Sequence, residues 1–291
     1  MFDSNGIYEK ILFLSVGTSV KLNQTQLVAA GNINQGIKLE TSNGPFFLKT
    51  NFEDRRDIFE KEADGLEYLR VNCPLQIPEV ISLGREEDYN FLLLEWISPE
   101  KTNPTYWQEL GLGLAQLHMT TRQDFGYKTD NYIASLSQQN ILVHPWTEFF
   151  IQNRLEPLIG KAYYESLVDL DFLKKFQKIY PVLEDFFPKE KPSLLHGDLW
   201  SGNIMRGKNG SPVLIDPAVY YGHREMDLAF SRLFGGFEES FYQSYETVFP
   251  LEPGFNERLP VYNLYPLLVH LLLFGKSYLL GIEKTVNKLV G

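Results

Sequence analysis

The chain has 291 residues, of which 44% are hydrophobic and 22% are charged, and its formal net charge is −10 at pH 7. This length allows two compact units, or one domain with two lobes, and the composition is typical of a folded globular protein. Because this acidic chain shows no basic stripe, we expect no nucleic-acid partner and no binding to an anionic membrane.

The cysteine content and the apolar runs exclude further classes of protein. A single cysteine, Cys73, excludes an intrachain disulfide and a zinc site built from several thiolates. The first residues lack a basic region followed by an apolar core, so no signal peptide is predicted. The longest apolar stretch, 264–273, is too short to span a bilayer. We therefore expect a cytoplasmic protein.

Residues 27–40 predict a strand, a glycine-bearing turn and a second strand. Glycine lets a backbone approach phosphate oxygens closely, so the turn residues Gly31, Asn32 and Asn34 are candidates for binding the phosphates of a nucleotide. A plain β-hairpin explains the same residues when the segment is taken alone. A Walker A loop is excluded, because Ile37 stands where that motif requires lysine.

The next two elements pair a lysine with a glutamate. Residues 45–51 predict a strand that carries Lys49, and residues 54–70 predict a helix. Glu62 lies in the middle of the apolar face of this helix, where a carboxylate is costly unless it is paired. Lys49 is the natural partner, and such a pair positions the ATP phosphates in kinase-like folds. A purely structural ion pair is the alternative.

The apolar run 91–97 predicts a buried strand, and Ser98-Pro99 ends it. We place the boundary between two lobes here, as 1–96 and 97–291. The backbone of Glu95, Trp96 and Ile97 is the candidate site for the adenine edge, with an ordinary sheet strand as the alternative.

Helical periodicity dominates the remainder of the chain. Residues 106–118 form a helical stripe, and further helices are predicted within 145–158, 163–187, 237–245 and 260–280. His118 is interpreted as a core histidine, and Asp227 as a structural acceptor of N–H bonds from its own helix or from the catalytic loop. The predicted fold class is therefore α+β, a bilobal protein-kinase-like fold with a small β-rich N-lobe and a larger, mostly helical C-lobe.

The stretch 194–205, LLHGDLWSGNIM, carries the chemistry. Asp198 is followed five positions later by Asn203, and Asp216 ends a later apolar run, a spacing that matches the catalytic loop and metal-binding aspartate of kinases. Phosphoryl transfer from ATP to an alcohol needs a carboxylate beside the hydroxyl and oxygen ligands for Mg²⁺. We predict Asp198 as the base and Asn203 and Asp216 as Mg²⁺ ligands, brought near one ion by a two-stranded ribbon.

Two features disfavour a protein kinase. Gly197 replaces the arginine that holds a phosphorylated activation loop, and too few residues separate Asp216 from Asp227 for a peptide-docking segment. A small-molecule alcohol is the better acceptor.

The strings HGDLWSGN at 196–203 and LIDPAVYYGHRE at 214–225 resemble the fructosamine (ketosamine) kinases, members of the aminoglycoside phosphotransferase-like, protein-kinase-like superfamily. Looser matches are GNIN at 31–34, FLKTN at 47–51, FEKEA at 59–63 and LFGGF at 233–237. The resemblance implies ATP-dependent phosphorylation of the sugar 3-hydroxyl of a ketosamine, free or protein-linked, such as a fructose- or ribulose-modified lysine.

The resemblance also implies an acceptor pocket that includes Trp200, His223, Arg224 and Glu225. Trp200 can stack on the sugar, and an acidic residue can receive the ammonium group of the substrate. The chain departs from the family at 30–32, where Ala-Gly-Asn replaces Gly-Gly-Cys. Thiol-based redox control through that loop is therefore not expected.

Two other functions fit parts of this pattern. A kinase for another small cationic alcohol, such as an aminoglycoside or a choline-like compound, would keep the mechanism and change only the acceptor pocket. A nucleotide-binding pseudokinase scaffold would not need the base and both metal ligands, and this chain has all three. Acceptor profiling distinguishes these functions.

Overall fold

A computed structural model of the chain describes residues 4–30, 34–52 and 57–291. The chain forms two compact units, Met1–Tyr106 with Ile204–Asp216, and Trp107–Asn203 with Pro217–Gly291. The predicted lobe boundary after residue 96 stays a prediction. Within the described ranges no helix has the length and apolar character needed to cross a bilayer. The cytoplasmic location stays a prediction.

The helices, in chain order, are α1 Ser4–Val16, α2 Asp57–Asn72, α3 Tyr106–His118, α4 Trp146–Phe150, α5 Glu156–Tyr164, α6 Leu170–Gln177, α7 Tyr180–Leu183, α8 Glu225–Leu233, α9 Glu239–Val248, α10 Phe255–Tyr262, α11 Leu264–Phe274 and α12 Leu279–Val290. The strands are β1 Leu22–Ala30, β2 Gln35–Thr41, β3 Gly44–Asn51, β4 Val80–Glu86, β5 Tyr89–Glu95, β6 Asn131–Ile133, β7 Leu136–Gln138, β8 Ser193–Leu195, β9 Ile204–Arg206, β10 Pro212–Leu214 and β11 Tyr220–Gly222.

The first unit is built on a five-stranded antiparallel sheet with the strand order β1-β2-β3-β5-β4. The predicted strands on either side of residues 31–34 pair as β1 and β2, while Gly31 and Asn32 lie outside the described residues. The apolar side of α1 packs on this sheet, where Ile11 meets a core that includes Leu39, Leu48 and Leu93. Burial of these aliphatic side chains is what holds the helix on the sheet.

Helix α2 buries the apolar face that the sequence predicted, including Phe59, Ala63, Leu66 and Leu69. The predicted start at residue 54 lies outside the described residues, and the helix runs two residues past its predicted end at residue 70.

Strand β4 was not predicted. It lies at one edge of the sheet, where most of its side chains are exposed or half-buried. An edge strand of this kind carries no continuous apolar run, so hydrophobic patterning does not reveal it.

The predicted ribbon is present as β9 and β10, which pair antiparallel with Ile204 opposite Leu214. The backbone N–H of Leu214 donates to the carbonyl of Gln76 at 3.1 Å. This bond attaches the ribbon to the segment between α2 and β4, within the first unit. The strand predicted over 212–218 ends early, because Asp216 has a φ of +54° and a strand cannot continue through that conformation.

The second unit is mainly helical. The helix predicted at 106–118 is α3, and the helix predicted at 145–158 is α4, followed by the π-helical turn Ile151–Leu155 and the start of α5. The stretch 163–187, predicted as helical, contains the end of α5, then α6 and α7, with breaks between them. Asp169 begins a new helix there by accepting the N–H of Phe172 at 2.8 Å, which favours a break at this point. Strands β8 and β11 pair antiparallel. The catalytic loop follows β8, and α8 follows β11.

Candidate active site

The first unit holds a buried lysine between two carboxylates. Lys49 Nζ lies 2.6 Å from Glu62 Oε1, which confirms the predicted pairing, and 2.5 Å from Asp216 Oδ1. The side chains of Lys49 and Glu62 are only 11% and 13% exposed, whereas that of Asp216 is 45% exposed. The second contact was not foreseen, because Asp216 follows Lys49 by 167 residues.

The charges of Lys49, Glu62 and Asp216 depend on one another. Burial disfavours the charged form of Lys49, but Asp216 and Glu62 outweigh it and hold the pKa of this ammonium above its ordinary value. Burial raises the pKa of Glu62, while Lys49 opposes that rise. The Lys49 ammonium therefore stays charged between the two carboxylates, and it can meet phosphate oxygens.

The backbone of Asp216 adopts the left-handed conformation, with a φ of +54°. Aspartate is one of the few residues other than glycine that tolerate this region. Non-glycine residues in such conformations cluster at functional sites. Lys49 contacts Oδ1, and nearly half of the side chain faces solvent, so the carboxylate is able to accept a further ligand.

Of the predicted phosphate-loop residues, only Asn34 lies within the described residues. Its Oδ1 accepts the Nδ2–H of Asn51 at 3.1 Å, and Asn51 Oδ1 in turn accepts the Nδ2–H of Asn90 at 3.0 Å. These bonds anchor the end of the loop to the sheet. The nucleotide-binding role of Gly31, Asn32 and Asn34 stays a prediction.

The predicted adenine site begins at Glu95, the last residue of β5. The backbone N–H of Glu95 donates to the carbonyl of Glu79 at 2.9 Å, so this group is already used within the protein. Lys38 Nζ lies 4.6 Å from the centre of the Trp96 ring, and Ile97 is buried. Adenine binding at this segment stays a prediction, and it requires backbone groups other than the Glu95 N–H.

In the second unit, the Asp227 carboxylate binds the backbone of the catalytic loop. Asp227 Oδ2 accepts the backbone N–H of His196 at 2.8 Å, and Asp227 Oδ1 accepts that of Gly197 at 2.9 Å. The N–H of Ala218 donates to the carbonyl of His196 at 2.9 Å. The predicted structural role of Asp227 is therefore confirmed.

Gly197 is required by the backbone of this loop. Its φ is +83°, and a Cβ at this position would lie 2.0 Å from the carbonyl oxygen of Ala218. Any side chain would therefore be strained by its conformation and would clash with backbone.

Asn203 is bonded to the predicted base. Its Nδ2 donates to the carboxylate Oδ2 of Asp198 at 2.8 Å and to the Asp198 carbonyl at 2.9 Å. With the amide nitrogen facing Asp198, the amide oxygen is the atom turned away from the carboxylate. This orientation suits an amide that ligates a hard cation through oxygen.

His118 is the core histidine that the sequence predicted. It is fully buried, its Nδ1 lies 2.8 Å from the hydroxyl of Tyr245, and its Nε2 lies 3.2 Å from Asp227 Oδ2. Because the carboxylate only accepts, Nε2 carries the proton and donates. His118 therefore supports the residue that holds the catalytic loop.

The remaining acceptor candidates are buried by contacts inside the second unit. Arg224 binds the carboxylate of Glu190 through Nε and Nη2, at 3.0 and 2.7 Å. Glu225 is bound in the same bidentate way by Arg258, at 2.7 and 2.5 Å. The exposed fractions of Arg224 and Glu225 are 2% and 0%, so both side chains hold helices and loops together.

His223 is also buried. Its ring stacks on that of Trp146 with centroids 4.5 Å apart, and its Nδ1 lies 3.0 Å from the hydroxyl of Tyr262. Burial and the nearby guanidinium groups of Arg258 and Arg224 hold the pKa of His223 well below its ordinary value. Contact of His223, Arg224 or Glu225 with a substrate stays a prediction.

Trp200 differs from His223, Arg224 and Glu225, because it is 36% exposed. Phe234 packs edge-on beside it with centroids 6.4 Å apart, and His270 lies 4.6 Å from Phe234. Sequence reasoning missed Phe234 as a neighbour of Trp200, and His270 as a neighbour of Phe234. Phe234 was visible only as part of a family string, and His270 only as a polar residue within an apolar run.

The family model described as fructosamine kinase matches residues 7–291. The chain belongs to the fructosamine kinase family. This membership confirms the resemblance found in the catalytic stretch, and it makes the chain an ATP-dependent phosphotransferase.

Relatives in this family span most of the chain. A protein designated a probable ketoamine kinase of Enterococcus faecium is 40% identical over 267 residues, which cover 91% of this chain and 95% of that protein. The chloroplastic protein-ribulosamine 3-kinase of Arabidopsis thaliana is 35% identical over 271 residues, covering 91% of this chain and 82% of that protein.

Solved structures confirm the α+β, protein-kinase-like fold. A Thermobifida fusca protein assigned as a fructosamine-3-kinase superposes with a TM-score of 0.86 at 28% identity, covering 96% of each chain. An aminoglycoside phosphotransferase superposes with a TM-score of 0.66 at 14% identity, covering 99% of this chain and 100% of that chain. The latter likeness shows the fold alone.

Proposed function

We propose that this chain transfers the γ-phosphoryl group of ATP to the sugar 3-hydroxyl of a ketosamine, free or protein-linked. Membership of the fructosamine kinase family and the likeness to a protein-ribulosamine 3-kinase support this substrate class. The observation that carries the proposal is the Asp198 carboxylate, which Asn203 holds at 2.8 Å in a loop fixed by Asp227.

Asp198 is the proposed general base. Its carboxylate accepts the proton of the sugar hydroxyl as that oxygen bonds to the γ-phosphorus. The bond between the γ-phosphorus and the bridging oxygen breaks, and ADP leaves. Positioning and charge stabilisation supply most of the catalysis in such transfers, and the bonds from Asn203 supply positioning here.

Lys49 is the proposed contact for the α- and β-phosphates. Its ammonium is held by Glu62 at 2.6 Å, which fixes where the charge lies before the nucleotide binds. Gly31, Asn32 and Asn34 are proposed to lie over the phosphates. The backbone of Glu95, Trp96 and Ile97 is proposed to receive the adenine.

The residues proposed as magnesium ligands fit that ion chemically. Asn203 turns its amide oxygen away from Asp198, and the Asp216 carboxylate is 45% exposed beside Lys49. Both offer the oxygen donors that Mg²⁺ prefers, and the bound ion would neutralise charge on the ATP phosphates. Trp200 is the proposed acceptor platform, because its exposed indole can stack on a sugar ring.

The test is ATP consumption in the presence of magnesium, with fructosyl-lysine, ribulosyl-lysine, an aminoglycoside and choline as parallel acceptors. We expect turnover only with a ketosamine, with the phosphate located on the sugar 3-oxygen by NMR. Turnover with another alcohol alone would overturn the substrate class and keep the mechanism. Binding of ATP with no acceptor used would overturn the kinase function.

A further inference from the structure

Gly202 lies directly beneath the indole ring of Trp200. A Cβ built on Gly202 would lie 2.3, 2.4 and 2.6 Å from the ring atoms Cη2, Cζ2 and Cζ3. These distances are far inside van der Waals contact, which is about 3.5–4.0 Å between carbons. The edge of the indole therefore occupies the space in which any other residue would place its side chain.

The backbone conformation does not explain why residue 202 is a glycine. Gly202 has no φ in the left-handed region, whereas Gly197 in the same loop has a φ of +83°. The atom that a Cβ would meet also differs. At Gly197 it is the carbonyl oxygen of Ala218, which cannot yield, and at Gly202 it is the end of a side chain that is 36% exposed. A methyl group at 202 would therefore displace the indole and leave the loop folded.

The indole is bounded on a second side as well. Phe234 packs edge-on beside Trp200, with centroids 6.4 Å apart and ring planes at 78°. A Cβ built on Gly236, whose φ is +94°, would lie 2.8 Å from Ser201 Cβ, so the segment after Phe234 approaches the loop closely. The position of the ring is thus set by Gly202 on one side and Phe234 on another.

We propose that Gly202 is a positioning residue for the acceptor. The absence of a side chain at 202 leaves room for the Trp200 indole beside the catalytic loop, and so sets the position of the surface on which the sugar stacks. This inference rests on the proposed function. An alanine at 202 would move the ring by more than about 1 Å, which weakens acceptor binding in the ground state and the transition state alike and is read as a raised KM.

The experiment compares Gly202→Ala, Trp200→Ala and the double variant, with ATP and fructosyl-lysine as substrates. We expect Gly202→Ala to raise the KM for fructosyl-lysine about tenfold, the size of a lost stacking contact, with a much smaller change in kcat and in the KM for ATP. In the Trp200→Ala background, the same substitution should change the KM for fructosyl-lysine less than about twofold, because neighbouring residues that act as a unit are not additive. Gly160→Ala is the matched control, since a Cβ at Gly160 in α5 meets nothing within 4 Å.

An unchanged acceptor KM in Gly202→Ala would overturn the inference. The same holds if the full effect persists in the Trp200→Ala background, because Gly202 would then act through the backbone beside Asn203. A kcat loss without a KM change would likewise assign Gly202 to the loop and not to the acceptor.

A separate readout keeps this test distinct from the proposed function. If the wild-type protein turns over no ketosamine, the position of the ring is still measured by acrylamide quenching of Trp200 fluorescence. The Trp200 signal is the difference between wild type and Trp200→Phe, and between Gly202→Ala and the double variant with Trp200→Phe. Greater quenching in the Gly202→Ala protein supports the displaced ring, and equal quenching overturns it.

Discussion

Asn203 restrains the side chain of Asp198 through two hydrogen bonds, one to the Asp198 carboxylate and one to its backbone carbonyl. An amide that donates twice to one residue has little rotational freedom. The carboxylate is therefore oriented before any substrate binds, which is the condition for efficient general base catalysis.

Asp198→Asn should lower kcat by about 10²–10⁴ fold, because the variant cannot accept the proton of the hydroxyl. ATP binding should change little, since the proposed contacts of the nucleotide lie on other residues. Steady-state kinetics and nucleotide titration measure the two effects. Asp171→Asn, an exposed aspartate in the first turn of α6, is the control. Turnover within tenfold of wild type would remove Asp198 from its proposed role.

Asp216→Asn should weaken nucleotide binding specifically in the presence of magnesium, by about 10–100 fold, the usual effect of disturbing a metal site. The substitution removes a charge that contacts Lys49 at 2.5 Å and that is the proposed metal ligand. Titration of ATP with and without magnesium measures the difference. Asp88→Asn is the control, because the Asp88 side chain is 91% exposed. An identical magnesium dependence in the variant and the wild type would contradict the metal role.

At the scale of elements, helix α8 holds the catalytic loop through its first turn. Asp227 accepts the N–H groups of His196 and Gly197, and a third bond comes from His118 on α3. These three donors are buried, and a buried donor without a partner costs about 1–3 kcal/mol.

Asp227→Ala should therefore lower the free energy of unfolding by about 3–5 kcal/mol, the range found when one partner of a buried charged group is removed. It should also lower kcat, because the loop that carries Asp198 loses its support. Urea unfolding and steady-state kinetics are the measurements. Glu239→Ala in the first turn of α9 is the control, since its side chain is 66% exposed. Wild-type stability in Asp227→Ala would refute the role of α8.

Element prediction succeeded where one apolar face is continuous. The stripe through Phe59 and Leu69 defined α2 and placed Glu62 on its buried side, from which its pairing with Lys49 followed. It failed where the pattern is interrupted or exposed. Edge strand β4 has no continuous apolar run, and the helical prediction over 163–187 did not include the break before α6, where Asp169 is the cap.

At the scale of the whole molecule, buried tyrosines make folding sensitive to alkaline pH. Burial raises the pKa of Tyr220 to about 12 and raises those of Tyr245, Tyr262 and Tyr265 as well. In the unfolded chain a tyrosine loses its proton near pH 10, so above that pH the unfolded chain binds fewer protons than the folded protein. Stability is then lost as pH rises through this window.

We expect the free energy of unfolding to fall from about pH 10 upwards, with a slope of about 1.4 kcal/mol per pH unit for each such tyrosine. Lys49 adds to the loss at higher pH, because its pKa is raised: its contribution is complete below the pKa of an unfolded lysine and falls as pH rises above that value. Urea unfolding at a series of pH values measures the slope. Tyr220→Phe should make the slope shallower, and a pH-independent stability through this range would contradict the prediction.

The sequence by itself determined the class of chemistry and the family. Asp198 and Asn203 are five residues apart, and the hydrogen bonds that make them a unit form within one loop, so their spacing alone carries the information. The spacing of the apolar residues in α2 likewise identifies the helical face that carries Glu62. Contacts that the chain makes locally can be inferred from local pattern, because the backbone geometry relates such residues directly.

Only the tertiary structure decided that Arg224 and Glu225 are buried and which residues they bind. Arg224 and Glu225 share a family string with Asp216, yet their partners Glu190 and Arg258 lie 34 and 33 residues away. The contact of Lys49 with Asp216 spans 167 residues. Such partners are chosen by the packing of whole elements, because a buried charge is stable only where the fold delivers its counter-charge.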